Sequence, residues 1–303
     1  MEQHAGNPLL RRRLLPLGEA LLTALIWSSS FVGVKVALAY TGPFTVAGLR
    51  YFLAFLFLCP WMWQRLQSST PLTRLQWSHF TLMGLAQYTI GNGALFLALK
   101  TVSATTGSLV LCLVPIPVLL LGILHLKERP NRLQLLGLTV AIGGSVLFFL
   151  PGLKLGEPLA VGLLGVAVLS FSAFPVLGRK IARDHQVANV ILTALPLGIG
   201  GGILLILASA VEGIPHMPLF AWGVILGLAL VNTLTAYLLF NHSLQHLTAV
   251  EANLMLNLTP LGTAIIAWGT LDERLLPVQI AAMLLVVAGA SLVQWRRNGC
   301  KRS

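Results

Sequence analysis

Polar side chains buried in an otherwise apolar chain are where chemistry has to be sought. Ser108, Cys112 and Pro115 lie in one apolar run at i, i+4 and i+7, so a helix puts all three on one face. Asn253, Asn257 and Pro260 repeat that spacing in a second run. Tyr88 and Asn92 stand four apart in a third, as do Thr233 and Tyr237 in a fourth. Trp27, Ser30, Phe171 and Phe174 add aromatic and hydroxyl groups in two more. Amides, hydroxyls and phenols on converging helices suit reversible hydrogen bonding to a small polar solute. The same groups also tie helix to helix without touching a ligand, and both readings stay open here. Covalent chemistry fits poorly. His79, His242 and His246 have no intramembrane carboxylate at ligand spacing, so neither a metal site nor an acid–base pair is expected. The three cysteines, Cys59, Cys112 and Cys300, are odd in number and scattered, which argues against a disulfide framework or zinc. No cofactor is expected.

The elements that position these groups are membrane-spanning helices. The 303 residues are 56% hydrophobic and only 10% charged, with mean hydropathy +0.84. Soluble domains carry about 25% charged residues, so lipid is the solvent that fits. Apolar runs of about 20 residues, the length needed to cross a bilayer, lie at 20–38, 44–63, 77–99, 102–124, 133–153, 158–178, 187–211, 218–240, 247–271 and 275–295. The first follows Arg11, Arg12 and Arg13 like a signal peptide. Lys35 interrupts it where a cleavage region should be neutral, so it reads as an uncleaved helix. The net charge of +11 sits in short connectors and not on a solvated domain, which speaks against nucleic acid. With the N-terminus inside, 15 Lys and Arg fall on the inner side against Lys100, Lys154 and Arg274 on the outer. That bias orients both termini to the cytoplasm.

A shift of 145 residues aligns the two halves. Pro115, Glu128, Arg129, Gln134 and Gly144 fall on Pro260, Glu273, Arg274, Gln279 and Gly289. Five helices per half is an odd number, so the second half must cross in the opposite sense. The fold expected is an all-α polytopic membrane protein of ten transmembrane helices in two inverted five-helix repeats. Residues 1–17 form a cytoplasmic tail, 18–153 the first repeat, 154–295 the second, and 296–303 a basic cytoplasmic tail. Inverted repeats accompany alternating access, with a site near mid-membrane where the repeats meet.

The segment Trp27-Ser28-Ser29-Ser30-Phe31 through Gly48-Leu49-Arg50-Tyr51-Phe52 resembles the start of an EamA-type repeat of the drug/metabolite transporter superfamily. The Pro-to-Glu-Arg segments 115–129 and 260–274, each followed by a glycine-containing helix, resemble it too. The second repeat departs from the pattern, with Leu169-Ser170-Phe171 for Trp-Ser and Thr193 for the arginine. The resemblance implies a carrier that exports or exchanges small metabolites.

The expectation is therefore a secondary transporter of small polar or amphipathic metabolites, such as amino acids or related compounds. It would sit in a plasma membrane, a bacterial inner membrane, as a monomer or weak homodimer among lipids. A sensor or scaffold that kept the fold, or less readily a membrane-embedded enzyme, are the alternatives. Substrate contacts are expected from Trp27, Ser30, Tyr88, Asn92, Ser108, Phe174, Thr233, Tyr237, Asn253 and Asn257, with Pro115 and Pro260 kinking or gating. Lys35 and Arg50 would snorkel or pair with a carbonyl, or else draw an anion into an outer vestibule. No carboxylate falls at mid-depth, which favours exchange, facilitated export, or proton coupling through a group such as His79.

Overall fold

A computed structural model describes residues 8–69, 71–126, 131–149, 158–183, 187–272, 274 and 276–294. The Glu128-Arg129 pair, Glu273 and the basic tail lie outside these residues. Ten helical segments account for nearly all of the described chain. They are α1 (Pro8–Leu38), α2 (Pro43–Gln67), α3 (Arg74–Met83, Gly84–Asn92 and Gly93–Ala98), and α4 (Ala104–Val110 through Gly122–Leu126). There follow α5 (Arg132–Phe149), α6 (Pro158–Arg183), α7 (Asn189–Val211), α8 (Leu219–Ala229 through Ala236–His246), α9 (Ala249–Leu256 and Thr259–Leu271) and α10 (Pro277–Gln294).

Six of these helices, α1, α2, α4, α6, α7 and α8, are long and apolar enough to cross a bilayer unaided. Large apolar side chains such as Ile206, Leu169, Leu124 and Trp268 stand exposed around the bundle, as lipid-facing residues do and a water-soluble surface does not. Helix α1 begins at Pro8, ten residues before the expected repeat boundary. Hydropathy marks where apolar residues begin, whereas helix geometry can begin earlier, among polar ones.

The 145-residue register is visible in the contacts. A methyl group added at Gly144 of α5 would lie 2.8 Å from Ala282 O and 2.9 Å from Val286 N of α10. One added at Gly289 of α10 would lie 2.6 Å from both Gly137 O and Ala141 N of α5. Gly137 and Ala141 are the repeat mates of Ala282 and Val286, so the contact is isologous, as across a two-fold axis. Position 144 opposes the mates of 137–141 and not its own mate, so the two helices run antiparallel. Inversion of the repeats is thus written into one helix crossing. Cys112 Sγ donates to the carbonyl of its own mate, Asn257, at 3.9 Å. A residue that touches its mate lies on the axis.

Helices α2 and α7 cross antiparallel in the same manner. Gly48 faces the backbone at Leu205, Gly201 faces Tyr51 and Phe52, and Gly198 faces Phe55. The glycine run of α7 is thus a surface for close helix approach. Glu212, just past the end of α7, caps the start of α2, accepting from Phe44 N at 2.9 Å, Thr45 N at 2.8 Å and Thr45 Oγ1 at 2.7 Å. Three hydrogen bonds, Ser28 Oγ to Thr259 O, Thr259 Oγ1 to Ala24 O and Thr263 Oγ1 to Ser28 O, hold α1 against α9. Between these frames, α1 to α4, α6, α8 and α9 surround the middle of the bundle.

Candidate solute cavity at the repeat interface

Two irregularities, each present in both repeats, shape that middle. Helix α3 is π-helical over Gly84–Asn92 and α8 over Leu230–Thr235, stretches that overlap under the 145-residue shift. With i→i+5 hydrogen bonds, residues five apart share a face, and such segments concentrate at functional sites. Helices α4 and α9 break at matching points, at the 3-10 turn Leu111–Leu113 and between Leu256 and Thr259. Pro115 and Pro260 lie just beyond the breaks, and each lacks the N–H that the carbonyl four residues earlier would accept. Leu111 O takes Val114 N instead, at 3.0 Å.

Between these helices lies a cavity of about 110 Å³. A water requires about 10–15 Å³ by that measure, so the space suits a small organic molecule. Its wall draws on α1 to α4 of the first repeat and α6, α8 and α9 of the second. Of the side chains singled out above, Trp27, Ser30, Asn92, Ser108, Phe174, Tyr237 and Asn253 are on the wall, with Phe171. The sequence signals brought together from six helices therefore share one space.

Three expected contacts are placed elsewhere. Tyr88 is fully buried behind the wall, its ring 4.9 Å from Tyr51, 5.3 Å from Tyr237 and 5.9 Å from Phe174. Thr233 is buried and bonded to Arg50 Nε at 2.6 Å. Asn257 is buried on the pseudo-two-fold axis against Cys112. The π-helical segments explain the first two. Spacing by four pairs Tyr88 with Asn92 and Thr233 with Tyr237, whereas spacing by five pairs Gln87 with Asn92 and Asn232 with Tyr237. Gln87 does line the cavity, and Asn92 Nδ2 donates back to Gln87 O at 2.7 Å. Gln87 and Asn232 are repeat mates, and sequence reasoning missed both. A polar residue adjoining the expected face in both repeats was the available signal.

Lys35 and Arg50 separate. Lys35 is off the cavity wall and donates to Leu99 O at 2.8 Å. Arg50 too pairs with a carbonyl, that of Asn232. It is 4% exposed and forms part of the cavity wall. Its Nη1 donates to Ser30 Oγ at 2.7 Å, its Nε to Thr233 Oγ1, and its Nη2 to Asn232 O at 3.0 Å. The guanidinium also stands 5.2 Å from the centre of the Tyr51 ring and 5.9 Å from that of Phe96, within cation–π range. Asn232 O accepts Trp27 Nε1 as well, at 2.9 Å, and its side-chain amide holds Ile26 O and Ser29 Oγ. One π-helical carbonyl in the second repeat thus fixes two wall residues of the first.

Missed along with Gln87 was most of the apolar wall. Phe31, Tyr51, Phe96 and Phe240 join Trp27, Phe171, Phe174 and Tyr237 there, and the ring of Trp27 lies 5.0 Å from Tyr237 and 5.5 Å from Phe240. Leu111 and Leu256, four residues before the two prolines, are also on the wall. Pro115 and Pro260 themselves are not. No group of three or more metal-ligating side chains occurs among the described residues.

Known proteins are similar to this chain. An "uncharacterized transporter" of Archaeoglobus fulgidus is 27% identical over 266 residues, 84% of this chain and 88% of that protein. An "uncharacterized inner membrane transporter", YedA of Escherichia coli, is 23% identical and covers 93% of this chain and 92% of its own. A "probable amino-acid metabolite efflux pump" of Salmonella typhimurium is 27% identical, over 89% of this chain and 91% of its own. A crystal structure 19% identical in sequence superimposes with a TM-score of 0.72 over 92% of this chain and 96% of that one, which establishes a common fold. The model of the EamA-like transporter family matches twice, at residues 17–150 and 158–295. Two copies of that family's unit, one for each half of an all-helical bundle, leave one conclusion: the chain belongs to the EamA-like transporter family and is a membrane transporter, not an enzyme.

Proposed function

We propose that this transporter is a secondary carrier that exports or exchanges small polar or amphipathic metabolites, amino acids and related compounds among them. The observation that carries the reading is the cavity itself. It lies between two inverted repeats and combines amides and hydroxyls (Asn92, Asn253, Ser30, Ser108) with a wall of aromatic rings. Hydrogen bonding selects a polar group, and the rings accept an apolar body. Helix breaks and π-helical segments at matching positions in both halves give the repeats places to flex, which is what alternating access requires. Pro115 and Pro260 act there as hinge residues. The Salmonella relative's printed description, a probable amino-acid metabolite efflux pump, supports the same solute class. The Lys and Arg distribution supports cytoplasmic termini, and the inner-membrane relative supports a plasma-membrane location.

The test is counterflow in liposomes holding the purified protein, screened against labelled amino acids, their N-blocked derivatives and related acids. Saturable movement of at least one solute, lost in Asn253→Leu, is the expected result. A folded wild-type protein that moves none of them would refute the proposal.

A further inference from the structure

Arg50 has a role that helix-to-helix bonding leaves unfinished. A guanidinium carries five N–H donors, and three of them are used, by Ser30 Oγ, Thr233 Oγ1 and Asn232 O. All three acceptors are neutral. Arginine is a fixed cation, and a charge this deeply buried calls for an opposite one. Among the described residues that line the cavity there is no Asp, Glu, Lys or His. Two N–H groups therefore have no hydrogen-bond partner among the described residues, on a side chain that forms part of the cavity wall. A second wall group is also incomplete. Gln87 is 9% exposed, donates from Nε2 to Tyr237 OH at 2.9 Å, and its Oε1 has no partner among the described residues. Reversing the amide would only move the vacancy to the other end of the same group.

We propose that Arg50 is the counter-ion for the solute, and that the solute is a small organic monoanion, a carboxylate with no free ammonium group. The inference rests on the transport reading above and narrows its solute class. A planar carboxylate matches two N–H donors on one guanidinium. The aromatic rings around Trp27 and Tyr237 take the apolar body. A zwitterionic amino acid brings an ammonium into a space whose fixed charge is already positive and which offers it no carboxylate. An N-blocked amino acid or a simple aromatic or branched acid avoids that conflict.

Four probes of nearly one shape separate the possibilities: 3-phenylpropionate, 3-phenylpropanamide, phenylalanine and phenylalaninamide, titrated calorimetrically into the purified full-length protein. The acid should bind at least about tenfold tighter than its amide and than phenylalanine, with phenylalaninamide weakest. Arg50→Gln should bring acid and amide within about twofold, and Arg50→Lys should keep the order with weaker binding. Equal affinity of acid and amide in the wild type, a lead for phenylalanine or its amide, or no binding by any probe overturns the assignment. If Arg50→Gln does not stay monodisperse, the wild-type ratio decides alone. Should liposomes move neutral or zwitterionic solutes while that ratio is near one, only the anion assignment falls. If nothing binds and nothing moves, the transport reading falls with it.

Discussion

Replacing Gly144 or Gly289 with alanine puts a number on the two-fold relation between the repeats. At Gly144 the new methyl would meet backbone atoms of α10 at 2.8–2.9 Å, and at Gly289 backbone atoms of α5 at 2.6 Å. Carbon contacts are comfortable near 3.5–4.0 Å, so α5 and α10 must part by roughly 0.6–0.9 Å, enough to forfeit a quarter or more of their mutual dispersion attraction. The obstruction is backbone and cannot rotate aside. Overfilling of this kind costs about 1–3 kcal/mol, and each single variant should lose that much. At about 2–4 °C per kcal/mol for a chain of comparable size, the midpoint of heat inactivation in detergent falls by several degrees. Because both methyls act on the same helix pair, separation forced by the first relieves part of the clash of the second. The double variant should therefore cost less than the sum, by about 1 kcal/mol. Size-exclusion recovery after heating gives the midpoints. Two unequal single penalties, one of them near zero, or full additivity would refute the isologous crossing.

Other outcomes follow from the same contacts. Asn257→Leu should keep most of the transport rate in liposomes, since Asn257 lies off the wall and its side-chain nitrogen holds no partner among the described residues, whereas Asn253→Leu should lose it. Asn232→Leu should cut transport at least tenfold while the protein remains monodisperse on a sizing column, because the amide that orients the Trp27 and Arg50 acceptor is gone. Glu212→Gln weakens a charged cap at the start of α2 and should cost about 1–2 kcal/mol, read as a lower inactivation midpoint. A phosphatase or fluorescent reporter inserted after Asp272 should report the side opposite to both termini.

Much of this architecture is legible in the residues because lipid imposes simple demands. A helix must be about 20 apolar residues long, and Lys and Arg gather on one side. The 145-residue register, read from Pro115, Gly144 and their mates, is also the register of the α5–α10 contact. Seven helices converge on the cavity, several with the polar residues that spacing had marked, such as Ser108 and Asn253. What spacing could not give is local helix type. Hydrophobic pattern assumes a face recurring every three or four residues, and the π-helical stretches of α3 and α8 shift it by one. That shift turns Gln87 to the wall and Tyr88 behind it. Arg50 is a second instance. Position in the helix allowed pairing with a carbonyl or an anion-drawing vestibule, and depth along a helix says nothing of which neighbours the side chain meets. Ser30, Thr233 and Asn232 come from segments 20 and more than 180 residues away, and they take three of its five N–H donors.

In the proposed transport cycle, solute passes through the space between the inverted repeats. Thiol accessibility in a cysteine-free background tests it most directly, with Ser30→Cys and Ser108→Cys introduced one at a time. Reagents that cannot cross the membrane are applied from one side and then from the other. Both thiols should be reached from either side, and a transported solute should protect both at concentrations matching its half-saturation for transport. Thiols that react from neither side, or that react without any protection by that solute, would contradict passage through that space.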